Sequence, residues 1–305
     1  MKKVIMIAGP TAVGKTELSI RLAKRINGEI ISADSVQIYK SLTIGSAKPT
    51  LSEKCGVPHH MLDFLEPSAS FSVSDYAHMA RKTIEDILSR GKTPIVVGGT
   101  GLYFNALLYD MDFGSAPEDV DYRRHLEHVS NDKGSDYLYQ ILIEKDPDTA
   151  NKIHPNNIRR VIRALEVIHI TGKTMGDFAK DPVPVSEYDP ILFGLTRSRM
   201  KLYGRINKRV DLMLEAGLID EVKNLKKDGI DDSCQSMQGI GYKEVLEYLD
   251  DKYDFDTMKS ILKQSSRRYA KRQMTWFRRY KEIQWLDLDA YASLDDIIDR
   301  ILSTL

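Results

Sequence analysis

The feature that most constrains the fold of this chain is a loop pattern close to its N-terminus. Residues Gly9–Thr16 read GPTAVGKT and match G-x-x-x-x-G-K-[ST] at every fixed position. An apolar run, Lys2–Ala8, precedes the loop, and residues 16–26 have apolar positions at helical spacing that end before Gly28. Strand, Gly-rich loop and helix in this order predict a phosphate-binding loop in an α/β fold.

Each part of such a loop has its own chemistry. The glycines allow backbone N–H groups to point at phosphate oxygens, and the following helix adds the partial positive charge of its N-terminus. Lys15 reaches the terminal phosphate, and the Thr16 hydroxyl is a ligand for Mg²⁺, which we expect as the cofactor. The residues that we expect to bind phosphate are Gly9, Pro10, Thr11, Ala12, Val13, Gly14, Lys15 and Thr16.

The loop by itself is typical of ATP-binding kinases and NTPases. These enzymes have an apolar strand that ends in an Asp, which helps to hold the metal. The best apolar strand here, Pro94–Val97, ends instead in Gly98-Gly99-Thr100, although Asp63 could serve in its place. Phosphoryl transfer therefore remains one of the possible reactions. If no phosphoryl group is transferred, the loop holds a diphosphate that leaves.

The first hundred residues predict a mainly parallel sheet. Strands at Glu29–Ser32 and Pro94–Val97 alternate with helices, including one at Ser74–Arg90 that ends before a glycine. Ligands of such sheets bind at the carboxyl ends of the strands. Asp34 and Thr100 follow two of these ends, so we expect both to lie in the site.

The middle of the chain predicts an inserted domain. Strand signals stop near residue 112, and the segment to about 190 is polar and mostly helical; Gly114–Pro117 and Asp181–Pro184 mark its edges. Strand signals return at Ile191–Thr196, followed by helices at about 198–216 and 256–280, a strand at Ile283–Leu288 and a C-terminal helix. The predicted domains are thus 1–111, the helical insertion 112–190, and 191–305.

The charge distribution bears on binding to nucleic acid. Formal net charge is zero, yet residues 263–281 contain eight basic and no acidic residues, and residues 197–210 contain six basic and none acidic. On a helix, Arg268, Arg272 and Trp276 form one row, beside a row that contains Gln273 and Phe277. Basic and aromatic groups together suit RNA phosphates and unpaired bases, although solvated surfaces and core packing are the simpler explanations. We expect Phe277 to be partly core.

Several classes of protein are disfavoured. No apolar stretch approaches the roughly 20 residues that a membrane span needs, and the apolar run at the N-terminus is better explained as a core strand than as a signal peptide. Cys55 and Cys234 do not form a disulfide framework or a zinc site, which fits a reducing cytoplasm. His59 and His60 lack a spaced partner ligand, so we expect them to be structural.

Ordered strings along nearly the whole chain resemble the tRNA dimethylallyltransferase family. Each string is short, but their order makes the resemblance specific. The strings are Gly9–Thr16, Ser32–Tyr39, Ile44–Pro49, Gly98–Tyr103, His154–Asn156, Arg163–Val167, Arg205–Val210, Gly239–Tyr242 and Ala270–Trp276.

The resemblance implies a fold, a reaction and a set of functional residues. The fold is a P-loop NTPase-like parallel sheet flanked by helices, with a helical insertion. The reaction transfers a dimethylallyl group from dimethylallyl diphosphate to the N6 amine of the adenosine just 3′ of the anticodon, in tRNAs that read codons beginning with U. Asp34 matches the general base, Thr100 a residue near the leaving oxygen, and Arg209 a diphosphate-binding arginine.

Further residues complete the predicted site. Arg205 lies four residues before Arg209 on the same helical face, as does Lys201, and we assign Arg205 to diphosphate binding. The arginines in the insertion are expected to clasp the anticodon stem, and the target base to swing out of its stack. The residues predicted to bind tRNA are Ser35, Gln37, Arg159, Arg160, Arg163, Gly239, Gly241, Tyr242, Arg268, Arg272, Gln273 and Trp276. We expect a monomer.

Three other functions remain as alternatives. A free-nucleotide isopentenyltransferase would prenylate AMP, ADP or ATP, a small-molecule kinase would consume ATP without RNA, and a nucleotide-dependent RNA-binding module would tolerate loss of Asp34. The strings at Gly98–Tyr103 and Lys271–Trp276 favour the tRNA enzymes over the first of these.

Overall fold

The computed structural model describes residues 2–110, 119–178, 183–185 and 187–305. The predicted edge markers Gly114–Pro117 and Asp181–Pro182 therefore lie outside the described residues. The chain divides into two compact units, the first formed by Met1–Leu108 with Val185–Leu305 and the second by Tyr109–Pro184.

The strands, in chain order, are β1 (Lys3–Ala8), β2 (Gly28–Ala33), β3 (His59–His60), β4 (Thr93–Gly98), β5 (Tyr109–Asp110), β6 (Val183–Pro184), β7 (Asp189–Thr196) and β8 (Gln284–Asp287). The helices are α1 (Lys15–Arg25), α2 (Leu51–Lys54), α3 (Val73–Ser89), α4 (Gly101–Leu108), α5 (Val120–Lys133), α6 (Ser135–Lys145), α7 (Pro147–Ala150), α8 (Ile158–Thr171), α9 (Arg199–Glu215), α10 (Leu218–Lys227), α11 (Tyr242–Leu249), α12 (Phe255–Phe277) and α13 (Leu294–Leu302). Short 3-10 turns cover Met175–Phe178 and Gln235–Gln238.

The first unit is built on a six-stranded parallel sheet in the order β3-β2-β4-β1-β7-β8. Strands β1, β2 and β4 are buried almost throughout, which is why they read as continuous apolar runs rather than as alternating ones. Helices on the sheet supply the rest of the core, including Leu18 and Leu22 of α1 and Ile297 and Ile301 of α13. The predicted α/β class with a parallel sheet is confirmed.

Local signals in the sequence set the ends of several helices. Ser72 and Asp75 form a capping box at the start of α3, and Ser293 and Asp296 form another at α13. The Asp254 side chain accepts a hydrogen bond from the N–H of Thr257 at the start of α12. These caps satisfy N–H groups that the first helical turn leaves without partners.

The second unit is mostly helical and has its own core. Helices α5, α6 and α8 bury Leu126, Leu138 and Leu165 against one another. Glu166 on α8 is fully buried, where it accepts hydrogen bonds from the side chains of Arg123 and Arg163. Strands β5 and β6 pair in antiparallel fashion at the two ends of the unit, and neither was predicted.

The second unit and the predicted insertion overlap over residues 112–184, but their ends differ. The structure begins β7 at Asp189 instead of Ile191, so this strand takes in part of the segment predicted as insertion. Among the residues that the structure describes, no helix is both long enough and apolar enough to cross a membrane.

Candidate active site

A cavity of about 720 Å³ lies at the carboxyl ends of the central strands of the first unit. Its walls come from the loop after β1, the turn after β2, the segment 45–49, helix α9 and helix α12. Open parallel sheets place their ligand sites at this edge. The predicted site residues that line it are Thr11, Ala12, Val13, Gly14, Lys15, Thr16, Asp34, Ser35, Gln37, Arg205, Arg209, Gly239, Arg272 and Gln273.

The loop between β1 and α1 has the form that its sequence predicts. Gly14 has φ +119°, a backbone conformation that residues other than glycine rarely adopt, and α1 begins at the next residue. The Lys15 ammonium donates hydrogen bonds to the carbonyl oxygens of Gly9 (2.8 Å) and Pro10 (2.9 Å). Burial lowers the pKa of Lys15 to about 7, against the opposing effect of the nearby Asp34 carboxylate.

Three arginines hold the loop from the side of β7 and α9. Arg209 donates to the Thr11 hydroxyl (3.1 Å), and Arg205 donates to the carbonyl oxygen of Ala12 (2.8 Å). Arg197 donates to the carbonyl oxygen of Val13 (2.9 Å) and forms an ion pair with Asp289. Burial lowers the pKa of Arg209. Positive charge is thus concentrated where a phosphate group would sit.

Arg197 was not among the predicted site residues. Its position in the sequence could have indicated a place at the site, because Arg197 is the first residue after β7, and β7 pairs directly with β1. Lys201, which shares the helical face of Arg205 and Arg209, is exposed and lies 3.5 Å from Asp289 instead of lining the cavity. Its neighbours on the buried stripe, Leu202 and Ile206, are in the core.

Asp34 stands at the end of β2 and faces the cations across the cavity. Its Oδ1 accepts hydrogen bonds from the backbone N–H groups of Val36 (2.9 Å) and Gln37 (3.3 Å), which is the geometry of a capping Asp. Burial lowers the pKa values of Lys15 and Arg209, and the Asp34 charge opposes part of this lowering because it favours their charged forms. Within the described part of the chain, the hydrogen bonds to this carboxylate all involve Oδ1, so capping engages one of its two oxygens.

Thr100 is held beside Asp34 but is not part of the cavity wall. Its hydroxyl oxygen accepts a hydrogen bond from the N–H of Ser35 (3.1 Å), and its own N–H donates to the carbonyl oxygen of Ala33 (3.1 Å). Thr100 therefore fixes the turn that carries Asp34 and Ser35. That Thr100 lies near the leaving oxygen stays a prediction.

Gln37 joins this turn to the next segment of the wall. Its amide nitrogen donates to the carbonyl oxygens of Ser46 (3.1 Å) and Ala47 (3.3 Å), and its amide oxygen accepts from the Ser32 hydroxyl (3.2 Å). Gly45, Ser46 and Ala47 all line the cavity. Gln37 thus lies at the site, as expected, with its side chain committed to the protein.

The predicted tRNA-binding segment 239–242 is split by the structure. Gly239 lines the cavity, whereas Gly241 and Tyr242 do not, and Tyr242 is buried. The Tyr242 hydroxyl donates to Glu221 (2.7 Å) and accepts from the N–H of Ser46 (3.2 Å). Burial, followed by the Glu221 charge, raises the pKa of Tyr242. The prediction that the Tyr242 side chain contacts tRNA is corrected, because its surface is fully covered.

Helix α12 presents two kinds of surface. Arg268 and Arg272 lie on its outer side, and the Arg272 guanidinium lies 5.6 Å from the centre of the Tyr269 ring. Trp276 lies near the end of the helix with the Arg279 guanidinium 5.0 Å from its ring. Phe277 is fully buried and contacts Phe104, so it is core rather than partly core.

Gln273 differs from its predicted role. It is 5% exposed, and its amide oxygen accepts a hydrogen bond from the N–H of Thr11 (2.9 Å) while its amide nitrogen donates to the carbonyl oxygen of Gly99 (3.0 Å). Its polar atoms therefore link the phosphate loop to the loop after β4. Gln273 lines the cavity from α12, but it is not free to bind RNA at the surface.

The three arginines of the second unit that were predicted to bind tRNA lie on α8. Arg159 and Arg160 are exposed in its first turn. Arg163 forms an ion pair with the buried Glu166 (2.6 Å). Burial is the largest single influence on the pKa of Glu166 and raises it, but the hydrogen bonds from Arg123, Arg163 and the N–H of Asp119 together hold this pKa below its usual range. Arg163 thus stabilises the fold of this unit, which its sequence position did not indicate.

The protein side chains at the cavity suit a metal ion that takes most of its ligands from the substrate. Among the described residues, no three His, Cys, Asp or Glu side chains cluster in a way that could hold a metal ion. Mg²⁺ in phosphate sites is commonly held by one or two protein ligands together with phosphate oxygens and water. Thr16 lines the cavity at the start of α1, where its hydroxyl fits that pattern.

Comparisons with known proteins identify the family of this chain. The family model described as IPP transferase matches residues 37–280, and a second model, isopentenyl transferase, matches residues 2–66. The chain is 52% identical to a tRNA dimethylallyltransferase of Alkaliphilus metalliredigens, covering 100% of this chain and 97% of that one. It is 51% identical to the tRNA dimethylallyltransferase of Anoxybacillus flavithermus, covering 99% and 95% of the two chains.

Solved structures are similar over the same length. A full-length tRNA isopentenylpyrophosphate transferase from Bacillus halodurans aligns with TM-score 0.74 at 47% identity, covering 99% of this chain and 96% of that one. A eukaryotic dimethylallyltransferase described as acting on tRNA aligns with TM-score 0.81 at 34% identity, covering 100% of this chain and 80% of that one. These likenesses confirm the predicted P-loop NTPase-like sheet flanked by helices. The chain therefore belongs to the IPP transferase family and resembles its tRNA dimethylallyltransferases over its whole length.

Proposed function

We propose that this protein transfers a dimethylallyl group from dimethylallyl diphosphate to N6 of the adenosine just 3′ of the anticodon, in tRNAs that read codons beginning with U. The observation that carries the proposal is that one cavity brings together a phosphate loop, the cations Lys15 and Arg209, and the carboxylate of Asp34. Relatives about 50% identical to this chain are named tRNA dimethylallyltransferases.

The donor diphosphate binds on the cationic side of the cavity. The N-terminus of α1, Lys15 and the guanidinium groups of Arg205 and Arg209 supply the charge, with the loop N–H groups as further donors. Arg209 and Lys15 are enclosed in the cavity, so their interaction with phosphate oxygens is weakly screened by water. This side of the cavity stabilises the charge that develops on diphosphate as it leaves.

The acceptor amine approaches from the side of Asp34. The N6 lone pair of adenine is delocalised into the ring, so the amine gains nucleophilicity if a base takes its proton as the bond forms. In the proposed reaction, N6 forms a bond to the allylic carbon, the bond from that carbon to the diphosphate oxygen breaks, and Asp34 receives the N6 proton. Thr100 holds the turn that positions Asp34.

Mg²⁺ fits this proposal as an ion held by the Thr16 hydroxyl and the diphosphate oxygens, where it would neutralise phosphate charge. The remaining roles belong to side chains of the protein.

The tRNA anticodon stem-loop binds over the basic face of α12. Arg268 and Arg272 lie there, and Arg272 also lines the cavity, so phosphate binding and access to the site share one helix. The target adenine must leave its stack to reach a carbon held inside a cavity. Arg159 and Arg160, exposed on α8, are assigned to the anticodon stem.

The proposal includes a monomeric enzyme that works in the cytoplasm, where tRNA is processed. Size-exclusion chromatography with light scattering measures the state directly.

One experiment separates this function from its alternatives. The protein, Mg²⁺ and radiolabelled dimethylallyl diphosphate are incubated with unmodified tRNA, with the same tRNA carrying guanosine in place of the target adenosine, and with AMP. We expect label in the first tRNA alone. Label in AMP identifies a free-nucleotide isopentenyltransferase. In a parallel incubation with ATP and no RNA, consumption of ATP identifies a kinase.

A further inference from the structure

One wall of the cavity is a short loop that is held in place largely by hydrogen bonds to other elements. Loop 43–47, which runs from Thr43 to Ala47, contributes Gly45, Ser46 and Ala47 to the cavity lining beside Asp34 and Gln37. It contains no strand or helix. Within the loop, the N–H of Ala47 donates to the carbonyl oxygen of Ile44 (3.0 Å). The N–H groups of Thr43, Ile44, Gly45 and Ser46 have partners from elsewhere in the fold, as backbone donors need.

Three of these N–H groups donate to a single carboxylate. Glu221 on α10 accepts hydrogen bonds from the N–H groups of Thr43 (3.0 Å) and Ile44 (2.8 Å) at Oε2, and from that of Gly45 (3.1 Å) at Oε1. The Tyr242 hydroxyl donates a fourth hydrogen bond to Oε1 (2.7 Å). Each carboxylate oxygen thus accepts two donors, and hydrogen bonds to an ionised acceptor are the stronger kind.

Tyr242 adds a second restraint on the same loop. Its hydroxyl oxygen accepts from the N–H of Ser46 (3.2 Å), so one side chain connects Glu221 to the next residue of the loop. The ring packs so closely on Gly45 that a Cβ at this position would lie 2.6 Å from ring carbons. The close packing explains why the loop has glycine here and why Tyr242 is buried.

The restraint extends to Asp34, the proposed general base. Gln37 donates to the carbonyl oxygens of Ser46 and Ala47, and the N–H of Gln37 donates to Asp34. Glu221 itself is not among the residues that line the cavity. Its effect on the site must therefore pass through loop 43–47 and Gln37.

We propose that Glu221 is a positioning residue that holds loop 43–47 in the shape that receives the acceptor nucleotide next to Asp34. The inference rests on the proposed function, in which the acceptor approaches from this side, and it assigns a task to a helix outside the cavity. The donor side is held separately, by Arg197, Arg205, Arg209 and Gln273. Loss of Glu221 is therefore expected to change use of the acceptor and to spare use of the donor.

The test compares Glu221→Gln with Asp220→Asn. Whichever oxygen of Glu221 becomes an amide NH₂, two of its four donors lose their acceptor. Asp220 is the preceding residue on α10, is 79% exposed and lies 3.8 Å from Lys223, so its variant removes a charge without touching the loop. Steady-state kinetics with tRNA and with dimethylallyl diphosphate varied separately are measured for both, together with thermal unfolding.

For Glu221→Gln we expect kcat/KM for tRNA to fall by about 10- to 100-fold, the range for a site misplaced by about an ångström, while KM for dimethylallyl diphosphate stays within about twofold. Asp220→Asn is expected to match the wild type. Tyr242→Phe leaves the three backbone hydrogen bonds to Glu221, so we expect a smaller fall in kcat/KM for tRNA than in Glu221→Gln.

Two results overturn the inference. One is unchanged kcat/KM for tRNA in a folded Glu221→Gln protein. The other is an equal loss toward tRNA and donor that follows a lowered Tm, because that indicates general destabilisation. If the wild type instead prenylates AMP and not tRNA, the proposed function fails, and the same variants are then compared by their KM for AMP.

Discussion

At the scale of single residues, Asp34 combines a structural and a chemical role, and the two can be separated by substitution. Its Oδ1 caps the turn through Val36 and Gln37, a task that asparagine can also perform with its amide oxygen. Basicity is what asparagine lacks. A role as a cap alone and a role as the general base therefore predict different behaviour for Asp34→Asn.

We expect Asp34→Asn to bind tRNA and donor with near-normal affinity and to lose turnover by roughly 10²- to 10⁴-fold, the typical effect of removing a general base. Asp34→Ala loses the cap as well and should also bind tRNA more weakly. Single-turnover prenylation together with tRNA binding measures both properties. A wild-type single-turnover rate in Asp34→Asn would leave Asp34 with the capping role alone.

Lys15 gives the donor site a pH dependence. With its pKa lowered to about 7 by burial, the ammonium is present below pH 7 and is lost as pH rises above it. Bound diphosphate favours the charged form, so binding takes up a proton. We expect the Kd for inorganic diphosphate with Mg²⁺ to rise by about tenfold between pH 7 and about pH 8.5 because the charged fraction falls by about that factor.

Lys15→Arg is the matched control, since arginine stays charged over this range. Titration calorimetry at several pH values measures the difference between the two proteins, which cancels the titration of diphosphate itself. Parallel pH profiles for wild type and Lys15→Arg would mean that Lys15 does not titrate in the site.

Sequence reasoning found the residues whose roles follow from local motifs and missed those whose partners are distant in the chain. The phosphate loop, Asp34 and Arg209 were placed at the cavity because each stands in a short, recognisable string. Gln273 was assigned to RNA from its position on a basic helix, but its hydrogen bonds to the loop after β1 and the loop after β4 depend on the folded chain. The burial of Tyr242 under loop 43–47 is a tertiary effect of the same kind.

At the scale of elements, predictions held where the hydrophobic pattern was long. Helices near 198–216 and 256–280 correspond to α9 and α12, and the strand at Pro94–Val97 lies within β4. Strand β3 has only two residues, and its His59-His60 sequence has no strand signal. No element was predicted for α10 or α11, and the contact between Glu221 and loop 43–47 could not be foreseen without them.

Helix α12 carries the prediction that belongs to this scale. Arg268 and Arg272 are one turn apart on its outer side, so both can bind RNA phosphates although the protein has no net charge. Replacing both with alanine should weaken tRNA binding and reduce the slope of log affinity against log salt by about 0.7 to 0.9 for each phosphate that is no longer neutralised.

Lys24→Ala provides the control, because Lys24 is an exposed cation on α1, away from this helix. Binding measured at several salt concentrations distinguishes the two variants. An unchanged slope in the α12 double variant would place the RNA site on another surface.

At the scale of the whole molecule, one buried carboxylate joins the elements on one side of the sheet. Glu29 on β2 is 3% exposed at its side chain and binds Arg90 at the end of α3 (2.6 Å), Lys92 before β4 (2.6 Å) and His60 on β3 (2.7 Å). The hydrogen bonds from Arg90, above all, hold the pKa of Glu29 well below its usual range, against the opposing effect of burial. The carboxylate therefore stabilises the folded state in its charged form.

The sign of the resulting pH dependence follows from this shift. Because the folded pKa lies below the unfolded value of about 4.3, the stabilisation is complete above that value and is lost as pH falls toward the folded pKa. We expect Glu29→Gln to lower the free energy of unfolding at pH 7 by about 2–3 kcal/mol, less than for a fully buried pair because the partners are 30–38% exposed. Urea unfolding at about pH 7, 5 and 3.5 should show this difference in the free energy of unfolding shrink below about pH 5. The control is Glu17→Gln, which breaks an exposed pair with Arg21, so its free energy of unfolding should stay close to that of the wild type at every pH. A difference as large at the lowest pH as at neutral pH would show that packing, not the charge of Glu29, accounts for the loss.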